Sequence, residues 1–152
     1  MIRLQFGCGE NRLDGWQNFD SDLDLSQPLP FGDNYADMIF MEHVLEHFDS
    51  HTIYRILYDC HKILKPGGKL RVCVPILSYL IEYDNRNKCV DLILNHGHKF
   101  VFCADSLHDL LYAAGFEEGD IHFTDRLEID GHWKVIGKEL DDLETIRMEA
   151  TK

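Results

Sequence analysis

The apolar positions of the chain fall into short runs that alternate between two periods. Residues 2–6 form an apolar run broken by Gly7 and Gly9, the pattern of a buried strand feeding a turn. Residues 16–19 form a second run, which ends on Asp20. The stretch DSDLDLSQPLPFGDN that follows is rich in Asp, Pro and Gly and predicts an irregular connection. Residues 36–41 (ADMIFM) are apolar almost throughout, as in a strand covered on both faces. From Ser50 to Leu64 the period changes. Ile53, Ile56, Leu57, Cys60, Ile63 and Leu64 recur at three and four residues, one stripe of an amphipathic helix, with Ser50 at the cap position. Lys65-Pro66-Gly67-Gly68 stops that helix, and residues 69–74 (KLRVCV) form the next strand, ended by Pro75.

Residues 76–100 predict helical pieces around SYLIEYDN and CVDLILN before the polar segment HGHK. Asp105 stands as N-cap for SLHDLLYAA, which stops at Gly115. Residues 120–126 and 133–138 predict two strands joined by a turn near Asp130-Gly131, and the last dozen residues read as a charged, weakly helical, peripheral tail. Strands alternating with helices predict an α/β fold with a mostly parallel sheet between helical layers, closed by an antiparallel C-terminal strand. The expected organisation is one domain over residues 1–140 and a charged tail over 141–152.

Composition narrows the partners. A chain of 152 residues closes a single core without metal or disulfide staples, and its 45% hydrophobic and 28% charged content is that of a globular protein. A formal net charge of -12, with scattered Lys and Arg, argues against general nucleic-acid or membrane-surface binding and for a small-molecule partner. Cys8, Cys60, Cys73, Cys89 and Cys103 are odd in number and include no CxxC, so neither a disulfide framework nor a zinc knuckle is suggested. Cys60 and Cys73 sit on apolar faces, where free Cys acts as a small buried hydrophobe. This reduced inventory, the lack of a membrane-length apolar stretch and the absence of a signal-peptide pattern predict a cytoplasmic protein.

Candidate chemistry gathers at strand ends. Gly7-Cys8-Gly9 lets the backbone turn sharply and approach a ligand closely, but Arg12 stands where the dinucleotide fingerprint requires glycine, which disfavours a nicotinamide cofactor. Asp20 can accept both ribose hydroxyls of a nucleoside, or it is a solvated turn residue crowded by Asp22 and Asp24. In EHVLEHF, the pairs Glu42-His43 and Glu46-His47 repeat at four residues. On a helix they would present two His on one face and two Glu on an adjacent one, a metal site or an acid/base pair. The alternative is that His47 is a buried, hydrogen-bonded structural residue. His96-Gly97-His98 would ligate a metal only with a third partner, and the sequence supplies none that is recognisable, so no metal is expected.

Taken in order, LQFGCG, PLPF, ADMIFMEHVLEHF, ILKPGGKLRVCVP, HGHKFVF and AAGF resemble the class I S-adenosylmethionine-dependent methyltransferases of the small-molecule, type 11-like group. The resemblance spans nearly the whole chain and implies a Rossmann-like three-layer sandwich. It implies S-adenosylmethionine as cofactor and S-adenosylhomocysteine as product. By position, Gly7, Cys8 and Gly9 would pass the methionine and ribose moieties, and Asp20 would hold the ribose hydroxyls. Asp24 would accept the adenine amino group, and Leu25 would donate its backbone N–H to the ring and pack on it. Glu42 and His43 would sit beside the sulfonium, with KPGG purely structural. His43 and His98 are the candidate acid/base or substrate-contacting residues.

The chain departs from the pattern in four ways. Asn11 stands where the loop has its third glycine, there is room for one turn of helix at most between Gly9 and Trp16, and the Asp20–Asp24 connection is compressed. The first strand starts within a few residues of Met1, so the helices that precede it in the family are not expected. An open cofactor site follows, with its lid supplied by substrate, a second copy in a homo-oligomer, or a partner subunit. The expected activity is methyl transfer to a small-molecule acceptor, with sugar or polysaccharide metabolism as the setting suggested by the group. The alternative from a different class is a non-catalytic regulatory or partner subunit that binds the cofactor or its product.

Overall fold

A computed structural model of the chain describes residues 1–75, 97–124 and 145–152. Among these residues a six-stranded sheet is built from β1 (Arg3–Phe6), β2 (Gln17–Phe19), β3 (Ala36–Glu42), β4 (Leu64–Pro75), β5 (Ile121–Phe123) and β6 (Thr145–Thr151). The strand order is β2-β1-β3-β4-β6-β5. Pairing is parallel from β2 through β4, and β6 runs antiparallel to both β4 and β5. This is the expected mostly parallel α/β sheet with an antiparallel C-terminal strand.

Side chains alternate between the two faces of the sheet, as a pleated strand requires. Ile39 and Met41 of β3 and Leu70, Val72 and Val74 of β4 join the larger core. Helix α1 (Ser50–Ile63) closes that core with Ile53, Ile56, Leu57, Cys60 and Ile63, the predicted stripe. Helix α2 (Ala104–Ala113) adds Leu107 and Leu111. On the opposite face, Met38 and Phe40 of β3 and Cys73 of β4 pack with Leu13 and Trp16. Cys60 and Cys73 are the buried hydrophobes expected, and burial pushes the Cys73 thiol up to about 12.

Leu13 and Trp16 come from the loop that joins β1 to β2, where the crossover helix has been cut to turns. Parallel neighbours ordinarily need a connection of a dozen or more residues, and here residues 7–16 suffice. The loop's backbone groups find their partners in two amide side chains on the strands it connects. Buried Gln5 donates from Nε2 to the Asn11 carbonyl at 3.0 Å and accepts from the Leu13 N–H at 3.2 Å. Asn18 accepts from the same N–H at 2.9 Å and donates to the Leu13 and Trp16 carbonyls at 2.9 and 3.0 Å.

Three local expectations are corrected. Asp49, not Ser50, caps α1, because its carboxylate accepts from the Thr52 N–H. Cys103, not Asp105, caps α2, in a reciprocal pairing with Ser106. Residues 145–151 of the expected helical tail instead form β6, a strand inside the sheet. Ile146, Met148 and Ala150 are buried, while Glu149 meets Lys69 at 2.7 Å and Arg71 at 2.6 Å on the neighbouring strand. Burial pushes the Glu149 carboxyl up, and the hydrogen bonds from Lys69 and Arg71 outweigh it to leave the group below its ordinary value. The predicted strand over residues 133–138 and the helical pieces SYLIEYDN and CVDLILN lie outside the described residues. No helix among the described residues is long and apolar enough to cross a membrane.

The amide staple yields a stability prediction. Asn18→Ala removes three hydrogen bonds from a half-buried loop and lowers unfolding free energy by about 2 kcal/mol. Urea denaturation should show a lower midpoint with an unchanged slope. An unchanged midpoint would show that the loop holds its shape without the amide.

Candidate functional site

The chain leaves β1 to build β2 on one side and then β3 on the other, so the direction of winding reverses between β1 and β3. In open α/β sheets the crevice beyond the strand carboxyl ends at such a point is where ligands bind. A cavity of about 550 Å³ lies there, lined by Gly7, Asp20, Ser21, Leu23, Asp24, Leu25, His43, Val44, His47 and Phe48. That size suits a nucleoside-sized ligand.

Its floor is a contact between two turns. Gly7, at φ +65°, follows β1, and a Cβ built on it would lie 2.4 Å from Cγ2 of Val44, which follows β3. Only glycine satisfies both the left-handed backbone and the close approach. Gly9, at φ +49°, faces open space instead. Its N–H donates to Asp20 Oδ1 at 3.1 Å, which ties the glycine turn to the end of β2. Asp20 is exposed, so the remaining acceptor sites of its carboxylate are available to a ligand in the cavity.

The segment after Asp20 is short but fixed. Asp24 accepts from the Ser26 N–H at 2.8 Å, and the hydrogen bonds from Ser26 hold its carboxyl below the ordinary value. Leu25 and Leu29 anchor in the main core. Arg55 of α1 donates to the Leu25 carbonyl, to the Gln27 carbonyl at 2.7 Å and to Asp59 at 3.2 Å. One guanidinium thus fastens the loop that carries Asp24 and Leu25 onto the helix.

The EHVLEHF segment is not a helix. His43 adopts φ +52°, uncommon for a residue with a side chain, and its N–H donates to the Cys73 carbonyl at 3.0 Å. A single 3-10 turn follows, Leu45–His47. The expected pairing of two His on one face and two Glu on another is therefore replaced. His43 Nδ1 lies 3.2 Å from Glu46 Oε1, with the carboxylate 1% exposed and the imidazole 36% exposed. The hydrogen bond to Glu46 raises the His43 pKa above its ordinary 6.5, against the opposing effect of burial. Burial also raises the carboxyl of Glu42, which has His43 and Arg147 as charged neighbours. His47 is half-buried and meets His98 edge to face, with ring centroids 5.0 Å apart.

Of the residues expected to bind cofactor, Gly7, Asp20, Asp24, Leu25 and His43 line the cavity. Cys8 is buried below the turn, Gly9 stands beside Asp20, and neither Glu42 nor His98 is part of the lining. Sequence reasoning missed Ser21, Leu23, Val44 and Phe48 as wall residues. Val44 was legible only through Gly7, since the contact that fixes one specifies the other.

A sheet of this order with a cavity at its reversal point has the class I S-adenosylmethionine-dependent methyltransferase fold. The sequence profile of the methyltransferase domain family matches residues 18–72. An S-adenosylmethionine-dependent methyltransferase from Archaeoglobus fulgidus superposes with TM-score 0.66 at 16% identity, covering 99% of this chain and 86% of the other. One from Mesorhizobium loti gives 0.66 at 14% identity, covering 99% and 90%. A complex that contains the Haloferax volcanii Trm112 methyltransferase activator gives 0.62 at 12% identity, covering 99% and 81%. No curated protein sequence matches the chain.

Two predictions follow from this geometry. Gly7→Ala meets both backbone strain and Val44 and should destabilise the fold by about 2–4 kcal/mol, whereas Gly9→Ala meets strain alone and should cost about 1 kcal/mol. Chemical denaturation of both variants measures the difference, and equal losses would contradict the Val44 contact. The His43–Glu46 pair has a pKa raised in the folded state. Its contribution to stability is therefore fully present below 6.5 and is lost as pH rises through the higher folded value. An NMR titration should place the His43 imidazole above 6.5, and Glu46→Gln should lower it; no change in that variant would remove the pairing as the cause.

Proposed function

We propose that this chain is an S-adenosylmethionine-dependent methyltransferase acting on a small-molecule acceptor. The observation that carries the reading is the placement of Gly7, Asp20, Asp24, Leu25 and His43 around one cavity at the sheet's reversal point. These residues suit the cofactor: an exposed carboxylate with spare acceptor sites, a glycine turn open to close approach, and an apolar leucine beside a second carboxylate. In this reading Asp20 holds the ribose hydroxyls, Asp24 accepts the adenine amino group, and Leu25 packs against the ring. Gly7 and Gly9 pass the ribose and methionine moieties, while Cys8 and Glu42 support the turn and the strand end from behind.

When bound, S-adenosylmethionine supplies an already activated methyl group, so the protein's task is chiefly alignment. His43 and His47 follow β3, across β1 from the carboxylates that follow β2, and in this reading the acceptor lies beside them. His43 accepts a proton only above its raised pKa, so its action as a base toward an acceptor hydroxyl strengthens as pH rises. His98 acts through His47 rather than from the wall itself. A sugar or another polyhydroxylated metabolite fits the polar wall, in keeping with the group that the sequence resembles. Asp20, Ser21 and Asp24 are exposed on the cavity rim, so a second copy or a partner subunit could complete the site, and one similar fold occurs in a complex with a methyltransferase activator.

Calorimetric titration with S-adenosylmethionine and S-adenosylhomocysteine tests the reading. Binding of both at sub-millimolar concentration is expected, weakened about tenfold or more by Asp20→Ala and less by Asp24→Ala, since two ribose hydroxyls face the first. No binding of either ligand would sink the proposal, and unchanged affinity in both variants would overturn the assignment of the two acids.

A further inference from the structure

Glu46, His47 and His98 converge behind the histidine wall of the cavity, and one ligating atom from each lies within 4.8 Å of the others. The main chain makes this meeting. The 3-10 turn Leu45–His47 presents the first two side chains, and the N–H groups of Lys99 and Phe100 both donate to the Glu46 carbonyl, at 2.7 and 3.1 Å. Residue 98 is thereby delivered to His47, and the two imidazoles meet at an interplanar angle of 77°. The partners that His98 lacks in its own loop are supplied by the fold from about fifty residues upstream.

A second observation is independent of that convergence. Glu46 is 1% exposed, and only its Oε1 faces His43; its Oε2 is buried with no hydrogen-bond partner among the described residues. A buried carboxylate oxygen left unpaired is costly, and such atoms in native folds call for an explanation such as an ion. We propose that Glu46, His47 and His98 form a binding site for a first-row divalent transition metal of the zinc type. Two imidazoles and one carboxylate are the donor set of open zinc sites, and imidazole donors disfavour magnesium and calcium. His43, on the other oxygen of Glu46, orients the carboxylate from the outer shell. Donors sharing one zinc ion lie up to about 4 Å apart, so closure asks for side-chain movements of about 1 Å. His47 also lines the cavity, so an oxygen or nitrogen donor of a ligand there could take the open coordination position. The metal site stands on its own residues and does not depend on the methyl-donor reading.

The test titrates the full-length, untagged chain with Co2+ and follows the visible d–d absorption, with Zn2+ as competitor. One Co2+ per chain is expected, displaced by Zn2+, and both His98→Ala and Glu46→Gln should weaken binding about tenfold or more. Because Glu46→Gln alters a buried pair, circular dichroism and melting accompany each variant. Half-buried His98→Ala carries the test where Glu46→Gln fails to fold. Cys103→Ser, which removes the exposed thiol, should change nothing. Absence of sub-millimolar Co2+ binding overturns the site, as does unchanged affinity in His98→Ala or a thiolate charge-transfer band lost in Cys103→Ser. S-adenosylhomocysteine affinity is measured on the same samples. If it persists without Co2+ binding, the metal site alone is wrong; if it is absent while Co2+ binds, the methyl-donor reading alone fails.

Discussion

The site depends on the contact between Gly7 and Val44. These residues begin the turns after β1 and β3, the two strands between which the winding reverses, and a methyl group of Val44 occupies the space a Cβ at position 7 would need. Each turn therefore fixes the other. Asp20 ties the first turn to the end of β2 through the Gly9 N–H, and His43 is held in place by its own N–H on the Cys73 carbonyl. The cavity walls are set by backbone contacts at strand ends, which makes their geometry a property of the sheet rather than of mobile side chains.

A short crossover would ordinarily leave the outer face of the sheet bare and several backbone groups unpaired. The chain solves both problems with few residues. Leu13 and Trp16 cover Met38, Phe40 and Cys73, while Gln5 and Asn18 satisfy the loop's N–H and carbonyl groups. The next connection is treated alike, with Leu25 and Leu29 sunk into the core and Arg55 gathering two carbonyls. What a longer chain does with helical packing is done here by side-chain amides and one guanidinium. The shortened connections therefore still deliver a formed cavity.

Strands and helix α1 were legible because they bury continuous or evenly spaced apolar residues, and Gly7, Asp20, Asp24, Leu25 and His43 stood out as candidates because their motifs follow one another in a recognisable order. β6 was missed although Ile146, Met148 and Ala150 alternate with Thr145, Arg147, Glu149 and Thr151. The charged residues concealed the period, and their partners Lys69 and Arg71 lie about eighty residues away in sequence. EHVLEHF was read with helical spacing because local sequence cannot show that His43 takes a left-handed conformation. The nearness of His98 to Glu46 and His47 is likewise invisible locally, since it is set by two main-chain hydrogen bonds across fifty residues.

The two walls of the cavity divide the chemistry. Asp20 and Asp24, after β2, offer hydrogen-bond acceptors, while the imidazoles of His43 and His47 follow β3 across β1. Carboxylates attract cations, whereas an imidazole can give or take a proton near neutral pH, so proton transfer at the cavity falls to the histidine side. There Glu46 matters twice. Its side chain raises the pKa of His43, and its carbonyl holds the segment that brings His98 to His47. Replacing Glu46 by a residue that cannot ionise would leave the backbone bridge intact while releasing the imidazole. The proton affinity of the histidine side and its shape are thus under separate control from a single residue, one through the side chain and the other through the main chain.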